Sequence, residues 1–205
     1  MQRKTYTRKL AINKDIIEKW RRSEIVVLGG SAGSFKILYQ AVRSFPADMG
    51  KAVVIVIHRK RNFLSEIEEI FGETSHLNVK QISDKVPVKK NTIYVAPANY
   101  HTLVEKTGHF SLDVSDAVWF SKPSIDVTFE SVADAYADRA TAILFSGANQ
   151  DGAAGLLKLR NSGSLTIVQN PEEAEMREMP QAAVDINAAE FMLSTEEIFE
   201  LLKST

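Results

Sequence analysis

The chain contains no cysteine among its 205 residues. Disulfides, thiolate catalysis and cysteine-ligated metals are therefore excluded, a usage that fits a reducing cytoplasm. No apolar run reaches the ~20 residues of a transmembrane helix. The N-terminus also lacks the apolar centre of a secretory signal. Charge of neither sign dominates: 25 Lys and Arg stand against 26 Asp and Glu, a formal net charge of -1. That balance gives no reason to expect nucleic acid or a membrane surface. Histidine is scarce, with four residues; His76, His101 and His109 show no metal-ligand spacing with one another and read as structural. The phosphate-binding G-x-G-x-x-G and Walker patterns are missing. What remains is a soluble globular composition, 44% hydrophobic and 25% charged. It suits one α/β domain with a sizeable core, expected in the cytoplasm.

The stretch that organises the chain is Glu24 to Phe45. It opens with the apolar run Ile25-Val26-Val27-Leu28, which suits a strand buried on both faces of a parallel sheet. Ile37, Leu38, Ala41, Val42 and Phe45 then recur at helical spacing. Between strand and helix lies Gly29-Gly30-Ser31-Ala32-Gly33, a G-x-S-x-G pattern whose small residues expose a serine at the end of the sheet. The helix start leaves unpaired backbone N–H groups, which around Gly30, Ala32 and Gly33 could hold an oxyanion. Two plainer alternatives exist for Ser31: a helix cap, or a residue of a phosphate-binding turn.

Residues 1–23 stand apart, with eight Lys/Arg against Asp15 and Glu18. They read as a basic arm packing on the domain or the end of a linker, with a partner-docking helix as the alternative; Ile12, Ile16, Ile17 and Trp20 could form its apolar face. After the opening unit, Ala52–Ile57 reads as a second buried strand that delivers His58. An amphipathic helix is expected over Asn62–Phe71, with Gly72 as its C-terminal cap. Short strands follow near Val79–Ile82 and Thr92–Ala96. His101–Lys106 and His109–Val114 form a hairpin around Thr107-Gly108. Pro123 and Ser124 open a helix; a third buried strand, Thr141–Phe145, runs into the segment from Ser146 to Gly152. A helix to about Asn161, a strand at Leu165–Gln169, a short strand at Phe191–Leu193 and a last helix with a Ser194/Glu197 capping box complete the pattern. Alternating strands and helices imply a doubly wound, mostly parallel sheet with helices on both faces, plus the hairpin.

Ser31, His58 and Asp151 each fall just past the C-terminal end of a buried strand, the edge where ligand crevices form in such sheets. Together they supply a nucleophile, a base, and a carboxylate to orient the base. Individually, His58 could be a core histidine and Asp151 a helix cap. The order Ser…His…Asp differs from the Ser…Asp…His of α/β-hydrolases.

These residues carry a resemblance. The chain resembles the catalytic domain of the CheB-type protein-glutamate methylesterases of bacterial chemotaxis over about residues 24–202. That family's Gly-x-Ser-Thr-Gly-Gly turn is matched by Gly29-Gly30-Ser31-Ala32-Gly33-Ser34, and its histidine after the second strand by His58. Its Gly-Met-Gly-x-Asp-Gly is matched by Gly147-Ala148-Asn149-Gln150-Asp151-Gly152. Ile93–Pro97, Lys122-Pro123-Ser124-Ile125-Asp126-Val127 and Met179-Pro180-Gln181-Ala182-Ala183 match further motifs. The departures are Ala32 for Thr, Ser34 for Gly, Ala148 for Met, and Arg59-Lys60 where Met-Pro often follows the histidine.

The resemblance implies hydrolysis of glutamate γ-methyl esters on chemotaxis receptors, and deamidation of certain receptor glutamines, with no cofactor or metal. Ser31 would attack, His58 would carry the proton and Asp151 would hold the imidazole. Gly30, Ala32, Gly33 and Ala148 would form the oxyanion turn. Candidate substrate contacts are Arg59, Lys60, Arg61, Pro123, Ser124, Met179 and Pro180. The implied partners are glutamate-rich receptor helices. Family members commonly carry an N-terminal receiver domain, which residues 1–23 cannot form; the chain reads either as a free-standing esterase regulated in trans by a separate receiver or kinase-linked protein, or as a domain cut from a longer chain. Neither nucleic acid nor membrane insertion is expected. The other readings are a binding module without turnover on the same scaffold, and an esterase acting on a different carboxylic ester.

Overall fold

A computed structural model describes residues 13–58 and 66–204. Seven strands form one parallel sheet: β1 (Ile25–Gly30), β2 (Ala52–Ile57), β3 (Asn78–Gln81), β4 (Thr92–Val95), β7 (Ala140–Leu144), β8 (Leu165–Gln169) and β9 (Phe191–Leu193). Their order is β3-β4-β2-β1-β7-β8-β9, and every neighbouring pair is parallel. The chain leaves β1 for β2 on one side and returns to β7 on the other. Ser31, His58 and Asp151 follow these three central strands, where a doubly wound sheet opens its crevice. The antiparallel hairpin expected around Thr107-Gly108 is present as β5 (His101–Val104) and β6 (Phe110–Asp113).

The apolar runs are strands because both faces of the sheet are covered. Val26, Leu28, Val53 and Ile55 face a core closed by α1 (Lys14–Arg22), α2 (Phe35–Ser44), α3 (Ile67–Thr74) and α7 (Thr195–Lys203). Ile25, Val27, Val54 and Val56 face the opposite core, closed by α4 (Ile125–Tyr136), α5 (Ala153–Asn161), α6 (Glu178–Asp185) and the hairpin. A strand with two apolar faces reads as a continuous run, as these do.

Three local expectations meet the structure differently. Gly72 does not cap its helix: α3 continues to Thr74 and closes on Ser75, whose N–H donates to Phe71 O. Gly72 also lacks the left-handed backbone that a glycine cap uses. The Asn62–Leu64 start expected for that helix lies outside the described residues. The third central strand begins one residue early, at Ala140. The Ser194/Glu197 capping box is formed in full at the start of α7.

The described part of the N-terminal arm packs on the domain. In α1, Ile16 and Trp20 are buried, and Trp20 Nε1 donates to Ser204 O at 2.9 Å, tying the arm to the end of α7. The fully buried indole also sits under the Lys51 ammonium, 5.3 Å from the ring centroid. Trp20→Ala is expected to cost about 3–5 kcal/mol, the usual range for deleting a large buried aromatic. Urea unfolding checks this, and a loss under about 1 kcal/mol would show the arm to be an optional appendage.

Candidate active site

The turn after β1 is built by its neighbours. Ser31 N–H donates to Ser146 O at 2.9 Å, fastening it to the segment after β7. The hydroxyl of Ser34 donates to Ser31 O at 2.6 Å, and its N–H donates to the same oxygen at 3.0 Å. Ser34 is fully buried and precedes α2 directly. Ser31 is thus not the helix cap; it stands outside the helix, partly exposed. A Cβ on Gly30 would lie 2.6 Å from Ser34, so the turn closes only with glycine there. Gly33 has φ +75°, in the region glycine favours, with Glu175 packed against it. Among the described residues the N–H groups of Ala32 and Gly33 have no acceptor, and the Ser31 hydroxyl makes no hydrogen bond.

His58 lies beside this turn. Gly30 and Ile57 are paired across β1 and β2, and His58 N–H donates to Gly30 O at 3.3 Å. Its ring is held at both nitrogens. Nε2 lies 2.7 Å from Asp151 Oδ2, and Nδ1 lies 3.0 Å from Ser121 Oγ. In neutral imidazole Nε2–H donates to the carboxylate, so Nδ1 accepts from the Ser121 hydroxyl.

Asp151 is fully buried, and it does not cap its own helix. Its carboxylate instead lies at the start of α4. Ser124 Oγ and Asp126 N–H donate to Oδ1 at 2.8 and 2.9 Å, and Ile125 N–H donates to Oδ2 at 2.8 Å. Free N–H groups and the helix dipole both favour an anion there. Burial pushes the Asp151 carboxyl up, but the hydrogen bonds from His58 and from the amides of Asp126 and Ile125 outweigh it. The carboxyl is held below its ordinary value, and the group that faces His58 is an anion.

Ser124, expected at the substrate, is fully buried beneath Asp151, and its N–H donates to His101 Nδ1 at 3.1 Å. His101 Nε2 then donates to Asp116 O at 2.9 Å, a structural role as expected. Pro123 follows a cis Lys122–Pro123 peptide bond. Met179 and Pro180 are buried, with Met179 packed against Gly147. Arg59, Lys60 and Arg61 lie outside the described residues. Ala148 lines a cleft of about 530 Å³ with Trp119, Asn149, Gln150, Arg177 and Gln181, beside the reactive residues but not including Ser31 or His58. No group of three or more His, Asp or Glu that could hold a metal occurs among the described residues. No helix among them is long and apolar enough to cross a membrane.

Two polar residues in the site were missed by the sequence reading as functional groups. Ser121 carries no local signal, since its contact with His58 spans 63 positions. Asp126 falls within a matched motif but was given no role. It is buried, accepts from Gly155 N–H at 2.7 Å and from Trp119 Nε1 at 3.2 Å, and so joins α4, α5 and the loop before Pro123. Burial pushes its pKa up to about 6; the Gly155 N–H opposes this and the negative charge of Asp151 adds to it.

A doubly wound α/β domain with a serine turn and a histidine–aspartate pair at the carboxyl edge of its central strands has the parts of a serine hydrolase. Residues 26–202 match the family described as CheB methylesterase, and the chain belongs to that family. A Leptospira interrogans relative is 37% identical over 178 residues, covering 87% of this chain and 92% of that protein. The protein-glutamate methylesterase/protein-glutamine glutaminase of Symbiobacterium thermophilum is 31% identical and covers 87% of this chain. A Pseudomonas aeruginosa protein of the same name, numbered 3, is 34% identical over 86% of it. The chain spans about half the length of these last two, 49% and 53%. The crystal structure of the Thermotoga maritima CheB methylesterase catalytic domain superposes with a TM-score of 0.81 at 27% identity, covering 87% of this chain and 98% of that one.

Asp126 gives the domain a pH signature. An ordinary aspartate titrates near 3.9, so Asp126 binds its proton more tightly folded than unfolded. Between about 4 and about 6 the native state holds the extra proton, and this group's support for the fold is lost as pH rises through that window. Asp126→Asn removes the titration and keeps an acceptor for Gly155 N–H. Relative to wild type, its stability is expected to rise by on the order of 1–3 kcal/mol between pH 4 and pH 7. Urea unfolding at both pH values measures this, and a pH-independent difference would refute it.

Proposed function

We propose that this chain hydrolyses γ-methyl esters of glutamate side chains on chemotaxis receptors, and deamidates receptor glutamines, with Ser31 as nucleophile. The observation that carries the reading is the 2.7 Å hydrogen bond between His58 and a buried, ionised Asp151, beside the Ser31 turn. The family and the methylesterase and glutaminase activities of the relatives support protein glutamate esters and glutamines as the substrate class.

In this reading the Ser31 hydroxyl attacks the γ-carbonyl and gives its proton to His58 Nδ1, the nitrogen not held by Asp151. The Ser121 hydroxyl, which occupies that nitrogen, gives way to Ser31. Imidazolium forms facing the Asp151 anion, which stabilises it where it stands. The free N–H groups of Ala32 and Gly33 receive the oxyanion. His58 then protonates the departing methoxide oxygen or amide nitrogen, which leaves as methanol or ammonia, and water, activated by the same nitrogen, releases the glutamate. No step calls for a metal or cofactor. Residues 24–205 act as the catalytic domain, with residues 1–23 as its basic arm.

Ser31→Ala is expected to leave the fold intact, because the hydroxyl it removes has no hydrogen-bond partner among the described residues. It should lower methanol release from a methylated receptor fragment by on the order of 10⁶, the usual loss for a removed nucleophile. A fluorophosphonate probe followed by peptide mass spectrometry should place its adduct on Ser31. The Ser121–His58 contact favours one competing outcome, an adduct on Ser121, which would transfer the nucleophile's role there. No adduct and no methanol would leave a binding module; an adduct without methanol would point to a different ester.

A further inference from the structure

The segment just before the cis Lys122–Pro123 bond is a tight turn. Val118 and Ser121 exchange backbone hydrogen bonds of 3.2 and 2.8 Å, and the two residues between them, Trp119 and Phe120, have φ of +48° and +60°. Turns of this form are normally built from Asn and Gly, because a Cβ is strained at positive φ. Two aromatic residues occupy it here. Phe120 is exposed over its whole surface, and Trp119 is 42% exposed although its indole N–H is bonded to Asp126.

The base of the turn is held firmly while its tip is bare. Trp119 Nε1 donates to Asp126, and Asn149 Nδ2 donates to Trp119 O at 3.3 Å. Ser121, the next residue after Phe120, touches His58. The strained tip therefore stands at the rim of the reactive pair, next to the 530 Å³ cleft that Trp119 helps to line. Strain kept at such a place is the pattern of a binding element.

We propose that the Trp119–Phe120 turn is an apolar anchor for the protein substrate, receiving a hydrophobic side chain that flanks the ester-bearing glutamate on an amphipathic helix. This rests on the reading that the substrate is a receptor protein. The occupant follows from position: a protein segment that brings an ester carbonyl to Ser31 and His58 passes beside Ser121, and so beside the two exposed rings. A second copy of this chain seated on the turn would instead cover the reactive pair. A small ester has no flanking residue to reach the rings, so the anchor serves selection of the protein substrate.

The test uses Phe120→Gly and Phe120→Asn, residues that suit positive φ and relieve the turn. Thermal unfolding should show both at least as stable as wild type. Kinetics are read on a methylated cytoplasmic fragment of a chemoreceptor and on p-nitrophenyl acetate. The ratio of kcat/KM for the receptor fragment to that for the small ester is expected to fall at least tenfold in both variants, mainly through KM, and to recover in Phe120→Tyr. A ratio within twofold of wild type would overturn the anchor while leaving the methylesterase reading in place. A wild-type protein that cleaves the small ester but releases no methanol from the fragment would overturn that reading and the anchor with it. Sedimentation of each variant completes the test: a dimer lost with Phe120, at an unchanged ratio, would assign the turn to self-association and refute the proposal.

Discussion

A buried carboxylate has to be compensated, and the compensation of Asp151 organises this domain's reactive edge. Burying an isolated anion is costly. Here four donors meet it: the imidazole of His58, the Ser124 hydroxyl and the first two amides of α4. These donors come from two parts of the chain and the carboxylate from a third. The end of β2, the start of α4 and the segment after β7 are thus fixed relative to one another by a single charge. The cis-Pro loop delivers Ser124 to its position, and His101 in turn holds the Ser124 amide. With four donors satisfied, the carboxylate is a fixed acceptor for one imidazole nitrogen, and it leaves His58 Nδ1 as the nitrogen that can exchange a proton.

The neighbouring Asp126 shows the reverse balance. It too is buried, but its partners are one amide and a long indole contact, and it faces the Asp151 anion. Two carboxylates so close cannot both ionise cheaply, so their proton affinities move apart. The anion site with more hydrogen-bond donors belongs to Asp151, and the proton is retained longer by Asp126. The same asymmetry separates their tasks: Asp151 faces the imidazole, while Asp126 ties α4 to α5 and to Trp119.

How much of this was legible in the sequence depended on the range of the interaction. The central strands could be read because Ile25–Leu28 and Ala52–Ile57 are buried on both faces and so are uninterrupted apolar runs. The Ser31 turn could be read because its glycines answer a local steric demand. Ser31, His58 and Asp151 could be placed at one edge because topology requires it. Beyond the pairing of His58 with Asp151, what faces what at that edge could not be read. Ser124 looked like a helix opener facing substrate, and it is a helix opener, but its hydroxyl is turned inward to an aspartate 27 positions away. Gly72 looked like a cap because glycine often is one, yet α3 runs on past it. Ser121 is an unremarked serine until the fold brings it to His58.

That last contact bears on how the site works. In the structure the accepting lone pair of His58 is engaged by Ser121, and the Ser31 hydroxyl is unpartnered among the described residues. The hydrogen bond to Ser121 keeps the imidazole in the tautomer that Asp151 also favours, with Nδ1 bare of its own proton. The orientation of the imidazole is therefore set at both ring nitrogens without a ligand. Ser121 belongs to the same four-residue turn as Trp119 and Phe120, which links the partner of the base to the rim where a substrate would first make contact.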